Sequence, residues 1–195
     1  LAVSGGVHTV PMRRGVLPDG QAFARSLLTG APWMMVRDDR AAMRELLIGL
    51  ARARQFDVAH ADQLNMAQYA ELVATHSARK PRLVIDAHNA LWLLYKRLAA
   101  TMGPGPRRVM LERDWRLLKA YEGRIVREFD AVLAVSDEDR AALAEAAGGD
   151  RDMTVIPIAI DTDELPIAHR HAGARQMTHV GTMYWPPNID GMLWF

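Results

Sequence analysis

The chain has 195 residues, half of them hydrophobic, and a formal net charge of +1, so it can bury one sizeable core and part of another, and nothing in its charge balance calls for nucleic acid as a partner. It contains no cysteine, which excludes a disulfide framework, a thiolate metal site and a sulfur nucleophile and suits the cytoplasm. No apolar run approaches the ~20 residues of a membrane span, so the chain is expected to be soluble, or peripheral at a membrane at most.

In chain order, Leu1 to Gly6 reads as a strand already under way, as in a chain truncated at its start. Residues 7–12 (VHTVPM) suggest a short strand, and Gly15, Pro18, Gly20, Gly30 and Pro32 punctuate a loop. From Asp38, read as an N-cap, Met43, Leu46, Leu47 and Leu50 recur at helical spacing. A strand (56–61, FDVAHA), a helix (64–78) and a second strand (82–87, RLVIDA) follow. Helices are then expected from Leu91 and over 107–128, with Leu111, Trp115, Leu118 and Ile125 facing inward. Next come a strand (131–136, AVLAVS), a helix (138–147) closed by Gly148-Gly149, and a strand (153–160, MTVIPIAI). Finally, Met177 to Val180 reads as a strand, Gly181 as a turn and Pro186-Pro187 as a helix start, the opening of a further βα unit just before the last residue, Phe195.

Apolar strands alternating with helices predict an α/β fold, a Rossmann-like parallel sheet flanked by helices. Ligands of such sheets lie beyond the carboxyl ends of the strands, which here are followed by His60 and Asp62, His88 and Asn89, Ser136 and Asp137, Asp161, and Gly181 and Thr182. Ser136 with Asp139 reads as a helix-capping pair. His60 fits a backbone-bonded histidine as well as a site residue, whereas a loop needs no imidazole and amide in succession, so His88-Asn89 points to function. His169 and His171 stand in a polar segment without the carboxylate or cysteine spacing of a zinc site, and no metal is expected there. The arginines and lysine of 107–127, mixed with Glu112, Asp114, Glu122 and Glu128, read as a solvated face. Asp161-Thr162-Asp163 spells the D-x-D by which some sugar transferases hold a metal and a nucleotide diphosphate, a tripeptide also common by chance. GPGPR at 103–107 lacks the third glycine of a dinucleotide fingerprint and follows a helix, so no nicotinamide site is signalled.

The series FDVAHAD, VIDAHNALW, FDAVLAVSDEDRAAL, VIPIAIDTDEL and HVGTMYWPPNIDGMLWF resembles, in order, the glycosyltransferase family 4 (group 1) enzymes of GT-B fold, most closely those associated with bacterial exopolysaccharide and exosortase systems. The resemblance implies an acceptor-side domain over 1–160, a linker over 161–175 and, from 176, the start of a donor-binding domain. It implies retaining, metal-independent transfer from a nucleotide sugar, which is a substrate and not a cofactor, to a glycan or lipid-linked acceptor. His88 matches the histidine that faces the transferred sugar and is the expected catalytic residue; His60 and Asn89 are expected to touch substrate. Gly181 and Thr182 match the turn whose amides approach the donor diphosphate. The chain departs from the family at Ile158-Ala159, where Asn-Gly is usual, and in lacking the N-terminal glycine-rich loop and the paired glutamates of the donor domain. Two other readings stay open: a non-catalytic α/β module that binds a sugar or phosphate, and a metal-dependent transferase using Asp161 and Asp163.

Overall fold

A computed structural model describes residues 6–12, 15–164, 171–173, 175–183 and 186–195. They fall into two compact units, Leu1–Ile158 and Ala159–Phe195.

The first unit is built on four parallel strands, β1 (Val58–Asp62), β2 (Arg82–Ala87), β3 (Ala131–Ala134) and β4 (Thr154–Val155), side by side in that order. Parallel neighbours need a crossover, and each is helical. A 3-10 turn (Leu64–Met66) and α4 (Ala67–His76) join β1 to β2, α5 (Leu91–Thr101) and α6 (Pro106–Glu128) join β2 to β3, and α7 (Asp137–Ala147) joins β3 to β4. The expected α/β, Rossmann-like class is therefore the observed one. Leu83, Ile85, Ala87, Val132 and Ala134 carry the sheet into the core, where they meet Trp92, Leu118, Ile125, Val126, Phe129 and Leu143. Burying a side chain such as Ile85 contributes roughly 1.5–3 kcal/mol, enough for a few apolar positions per strand to fix the register. Of the four residues expected inward on α6, Leu118 and Ile125 are fully buried, while Leu111 and Trp115 are half-buried.

Several expectations are corrected. Residues 7–12 form no strand. The supposed loop after them is a helix, α1 (Val16–Thr29). Pro18 sits in its first turn, where a missing N–H costs nothing, and Gly30 ends it at φ 71°, its N–H donating to the Ser26 carbonyl. Gly15, Gly30 and Pro32 thus bracket a helix, and Pro18 and Gly20 lie within its first turns without breaking it. Asp38 is no N-cap: it ends α2 (Trp33–Asp38), its carboxylate buried and bonded to Arg37 and to Asn65 Nδ2 (3.1 Å), and α3 (Ala41–Ala53) starts three residues on. The expected strand over 153–160 shrinks to β4, because Pro157 has no N–H for the ladder; Ile158 and Ile160 are exposed.

The charged face expected along 107–128 is also revised. Asp114 and Glu122 are buried, each accepting the amides that open another helix. Asp114 takes Trp33 N–H (2.9 Å), and Glu122 takes Leu91 N–H and Trp92 N–H (2.8 and 2.7 Å). Several of the basic residues tie elements together: Arg113 donates to the Ser26 carbonyl (2.7 Å), Lys119 pairs with Glu145, and Arg124 pairs with Glu71 and Glu128.

In the second unit Met177 to Val180 forms no strand, since among the described residues no neighbouring strand supplies its hydrogen bonds. A helix, α8 (Pro186–Trp194), does begin at Pro186-Pro187. His169 and Trp185 lie outside the described residues, and His171 is exposed.

Candidate functional site

Register brings the site together. Asp62, the last residue of β1, stands opposite Asp86 of β2, and the chain leaving β2 carries His88 back over both. His88 Nε2 lies 2.8 Å from Asp62 Oδ1 and 4.0 Å from Asp86 Oδ2. Among the described residues His88 is the only ion-pair partner of either aspartate, and its Nδ1 makes no hydrogen bond. In the neutral tautomer that donates Nε2–H to Asp62, Nδ1 is left as an acceptor. Asn89, exposed beside it, makes no side-chain hydrogen bond among the described residues.

Two carboxylates from distant parts of the chain brace this loop. Ala90 N–H donates to Asp139 Oδ1 (2.9 Å), and Glu122 takes the next two amides. Burial pushes the Glu122 carboxyl up to about 8, outweighing the two amide bonds that pull it down, and the nearby Asp139 charge pushes the same way. A helix N-terminus ordinarily offers its free amides to an anion. At α5 the protein's own acidic side chains occupy them, so the loop is no phosphate cradle. The start of α7 is no better suited: Ser136 Oγ caps it by accepting Asp139 N–H (3.1 Å), and its first turn holds Asp137, Glu138 and Asp139. This capping confirms the reading of Ser136 with Asp139.

Backbone strain marks the same edge. Gln63, directly after Asp62, has φ 75° and ψ 156°, a region nearly reserved for glycine and costing about 1–3 kcal/mol. Its N–H bonds the Asp86 carbonyl (3.0 Å) and its carbonyl accepts Met66 N–H (3.1 Å), which hold the turn.

His60 makes no hydrogen bond to His88 among the described residues; it lines a groove of about 390 Å³ with Met43, Leu47, Leu50 and Tyr69, between α3, α4 and β1, and Asp62, the partner of His88, lines the same groove. In the second unit, a Cβ built on Gly181 would sit 2.7 Å from His179 Nε2 and 3.1 Å from Asn188 Nδ2. Asn188 Nδ2 also donates to the Thr182 carbonyl (3.1 Å), so this turn is tied to the first turns of α8. Asp161 and Asp163 are exposed, and Asp163 N–H donates to Asp161 Oδ1 (2.9 Å), the geometry of an Asx turn.

Asp86 was not singled out by the sequence, because within RLVIDA it is one polar residue in an apolar strand. The available signal was its position: FDVAHAD and RLVIDA each carry an aspartate near the strand end, and parallel pairing makes them neighbours. Asp62, Asp86 and His88 offer one ligand atom each within 4.8 Å of one another, a donor set of the type that holds a divalent cation. Two of the three already share a hydrogen bond that a cation would have to displace.

Four parallel strands covered by helices, with a polar cluster at the carboxyl edge, define a Rossmann-like α/β domain. The chain belongs to glycosyltransferase family 4: the model of that family, described as Glycosyltransferase Family 4, matches residues 10–164. No curated protein matches the chain. Among the described residues no helix is long and apolar enough to cross a membrane.

Proposed function

We propose that this chain is the acceptor-side domain of a retaining, metal-independent glycosyltransferase that moves a hexosyl-type sugar from a nucleotide sugar to a glycan or lipid-linked acceptor. The proposed setting is polysaccharide assembly at the cytoplasmic face of a membrane. The observation that carries the reading is His88, fixed by Asp62 at the sheet's carboxyl edge in a member of family 4. In this reading residues 1–160 form the acceptor side, 161–175 the linker and 176–195 the start of the donor side, where the amides of Gly181 and Thr182 approach the diphosphate.

The acidic first turn of α7 and the occupied start of α5 favour keeping the diphosphate away from this edge and leaving it to a sugar hydroxyl. His88 Nδ1 then accepts a hydrogen bond from a hydroxyl of the transferred sugar, Asn89 contacts acceptor or sugar, and Asp62 sets the tautomer. In a retaining transfer the leaving diphosphate departs on the face that the acceptor attacks, so a group that orients the sugar stabilises the transition state more than the ground state. His60 lines the groove that Asp62 shares, and there contacts a further part of the acceptor. The Asx turn at Asp161 favours the metal-independent reading over a D-x-D metal site.

The experiment is turnover of the enzyme complete with its donor domain. His88→Ala lowers kcat by roughly two to three orders of magnitude and leaves nucleotide affinity unchanged, while a chelator has no effect and the 195-residue chain alone releases no nucleotide. A His88→Ala enzyme that melts earlier yet keeps its kcat makes the histidine a brace only. Activity lost to chelator and restored by Mn²⁺ turns the reading to a metal enzyme, with Asp163→Ala and Asp86→Asn separating the two aspartate sites.

A further inference from the structure

Among the described residues Gln63 is the one non-glycine residue at positive φ, and its ψ of 156° puts it in a region that glycine enters freely and a Cβ makes strained. A turn that had only to lead out of β1 would be more stable with glycine. The conformation persists because its surroundings fix it. Gln63 N–H donates to the Asp86 carbonyl (3.0 Å) and its own carbonyl accepts Met66 N–H (3.1 Å). Just beyond, Leu64 is buried in the core, Asn65 Nδ2 donates to Asp38 (3.1 Å), and Gln68 Nε2 donates to the Asn65 carbonyl (3.0 Å). None of these bonds uses the Gln63 side chain, which is exposed and makes no hydrogen bond among the described residues. Backbone and neighbours hold the turn, and the carboxamide is free for a ligand.

Its place says which ligand. Gln63 is the first residue after β1, and Asn89, the second after β2, carries another exposed carboxamide without a hydrogen bond. Neighbouring parallel strands bring both to the edge where Asp62 holds His88. The charges at that edge are acidic: Asp62 and Asp86, with Asp137, Glu138 and Asp139 in the first turn of α7. A phosphate or carboxylate is repelled there, whereas a carboxamide offers an acceptor oxygen and two donor hydrogens to hydroxyls that both donate and accept.

We propose that Gln63 is a further substrate-binding residue, its carboxamide hydrogen-bonding sugar hydroxyls beside His88, and that the strained turn is what holds it there. The inference rests on the transferase reading and deepens it; the hydroxyls belong to the transferred sugar or to a sugar of the acceptor, which the test separates.

Three variants separate side chain from backbone. Gln63→Ala keeps the strained Cβ and removes the amide, Gln63→Gly removes both, and Gln63→Glu keeps the length without the donor hydrogens. Thermal melts of the 195-residue chain show Gln63→Ala unchanged and Gln63→Gly raised by about 2–4 °C, since relief of the strain exceeds the added chain entropy of glycine. In the enzyme complete with its donor domain, kcat/KM for sugar transfer falls about tenfold in Gln63→Ala and Gln63→Gly, and Gln63→Glu does not restore it. Activity thus falls in a protein that is more stable, which a merely structural residue does not produce. Slower hydrolysis of the nucleotide sugar without acceptor assigns the contact to the transferred sugar; unchanged hydrolysis with a raised KM for acceptor assigns it to the acceptor's sugar. Wild-type kcat/KM in any of the three variants, or a lowered melting temperature in Gln63→Gly, would overturn the inference while sugar transfer by the unmodified enzyme stands. An unmodified enzyme that transfers no sugar removes the transferase reading, and this inference with it.

Discussion

Glu122 shows how one buried carboxyl can order a site that it does not enter. Both its oxygens accept amides at the start of α5, yet burial raises its titration from the ordinary 4.5 to about 8. A group whose folded pKa is raised binds its proton more tightly folded than unfolded. Its stabilising contribution is therefore complete below about 4.5 and is lost as pH rises through about 8. The melting temperature should fall between pH 5.5 and 8.5. Glu122→Gln, which keeps one acceptor but turns an NH₂ toward the other amide, should be less stable at acid pH and lose that dependence. Thermal melts of both proteins across the window check this, and an unchanged slope in the variant would assign the pH effect to other groups. Its neighbours matter to the outcome: Asp139 is the charged group acting on it, and through Ala90 it braces the same loop.

At the scale of elements, the packing of α6 on α7 depends on the absence of one methyl group. A Cβ on Gly123 would lie 2.0 Å from the Ala146 carbonyl oxygen and 3.2 Å from Ala147 N, both backbone atoms. No rotamer change relieves such a clash. Gly123→Ala should cost about 3 kcal/mol despite alanine's better helix propensity, read as a lowered urea midpoint with the slope retained. Equal stability would mean that the two helices separate freely. The helices also show where sequence signals mislead. In α1, proline and glycine at the ends gave the pattern of a loop, because a local pattern does not say which side of a helix boundary such a residue occupies. MTVIPIAI has strand composition throughout, but pairing with β3 covers only Thr154 and Val155 and ends at Ile156, whose N–H donates to the Ala134 carbonyl (2.8 Å) just before Pro157.

At the scale of the whole molecule, the second unit is short and exposes Met177, Val180, Leu193, Trp194 and Phe195. Such apolar surface promotes association. The chain should self-associate in a concentration-dependent way by analytical ultracentrifugation, and removal of residues 159–195 should reduce it. A monodisperse full chain over the micromolar range would contradict this.

The sequence by itself determined the class of fold, since apolar strands alternating with helices have few other ways to bury both faces of a sheet. It also determined the position of His88-Asn89, because a strand exit is a local feature, and the order of motifs that marks glycosyltransferase family 4. Tertiary structure alone decided what His88 touches. Asp62 and Asp86 lie 24 residues apart in the chain and become neighbours only through strand register, just as Glu122 and Asp139 reach the amides after His88 only once α6 and α7 have packed. The same packing buried Asp114 and Glu122, which composition had placed in water: a carboxylate's local sequence carries its charge, but only its neighbours say whether an amide has replaced the solvent.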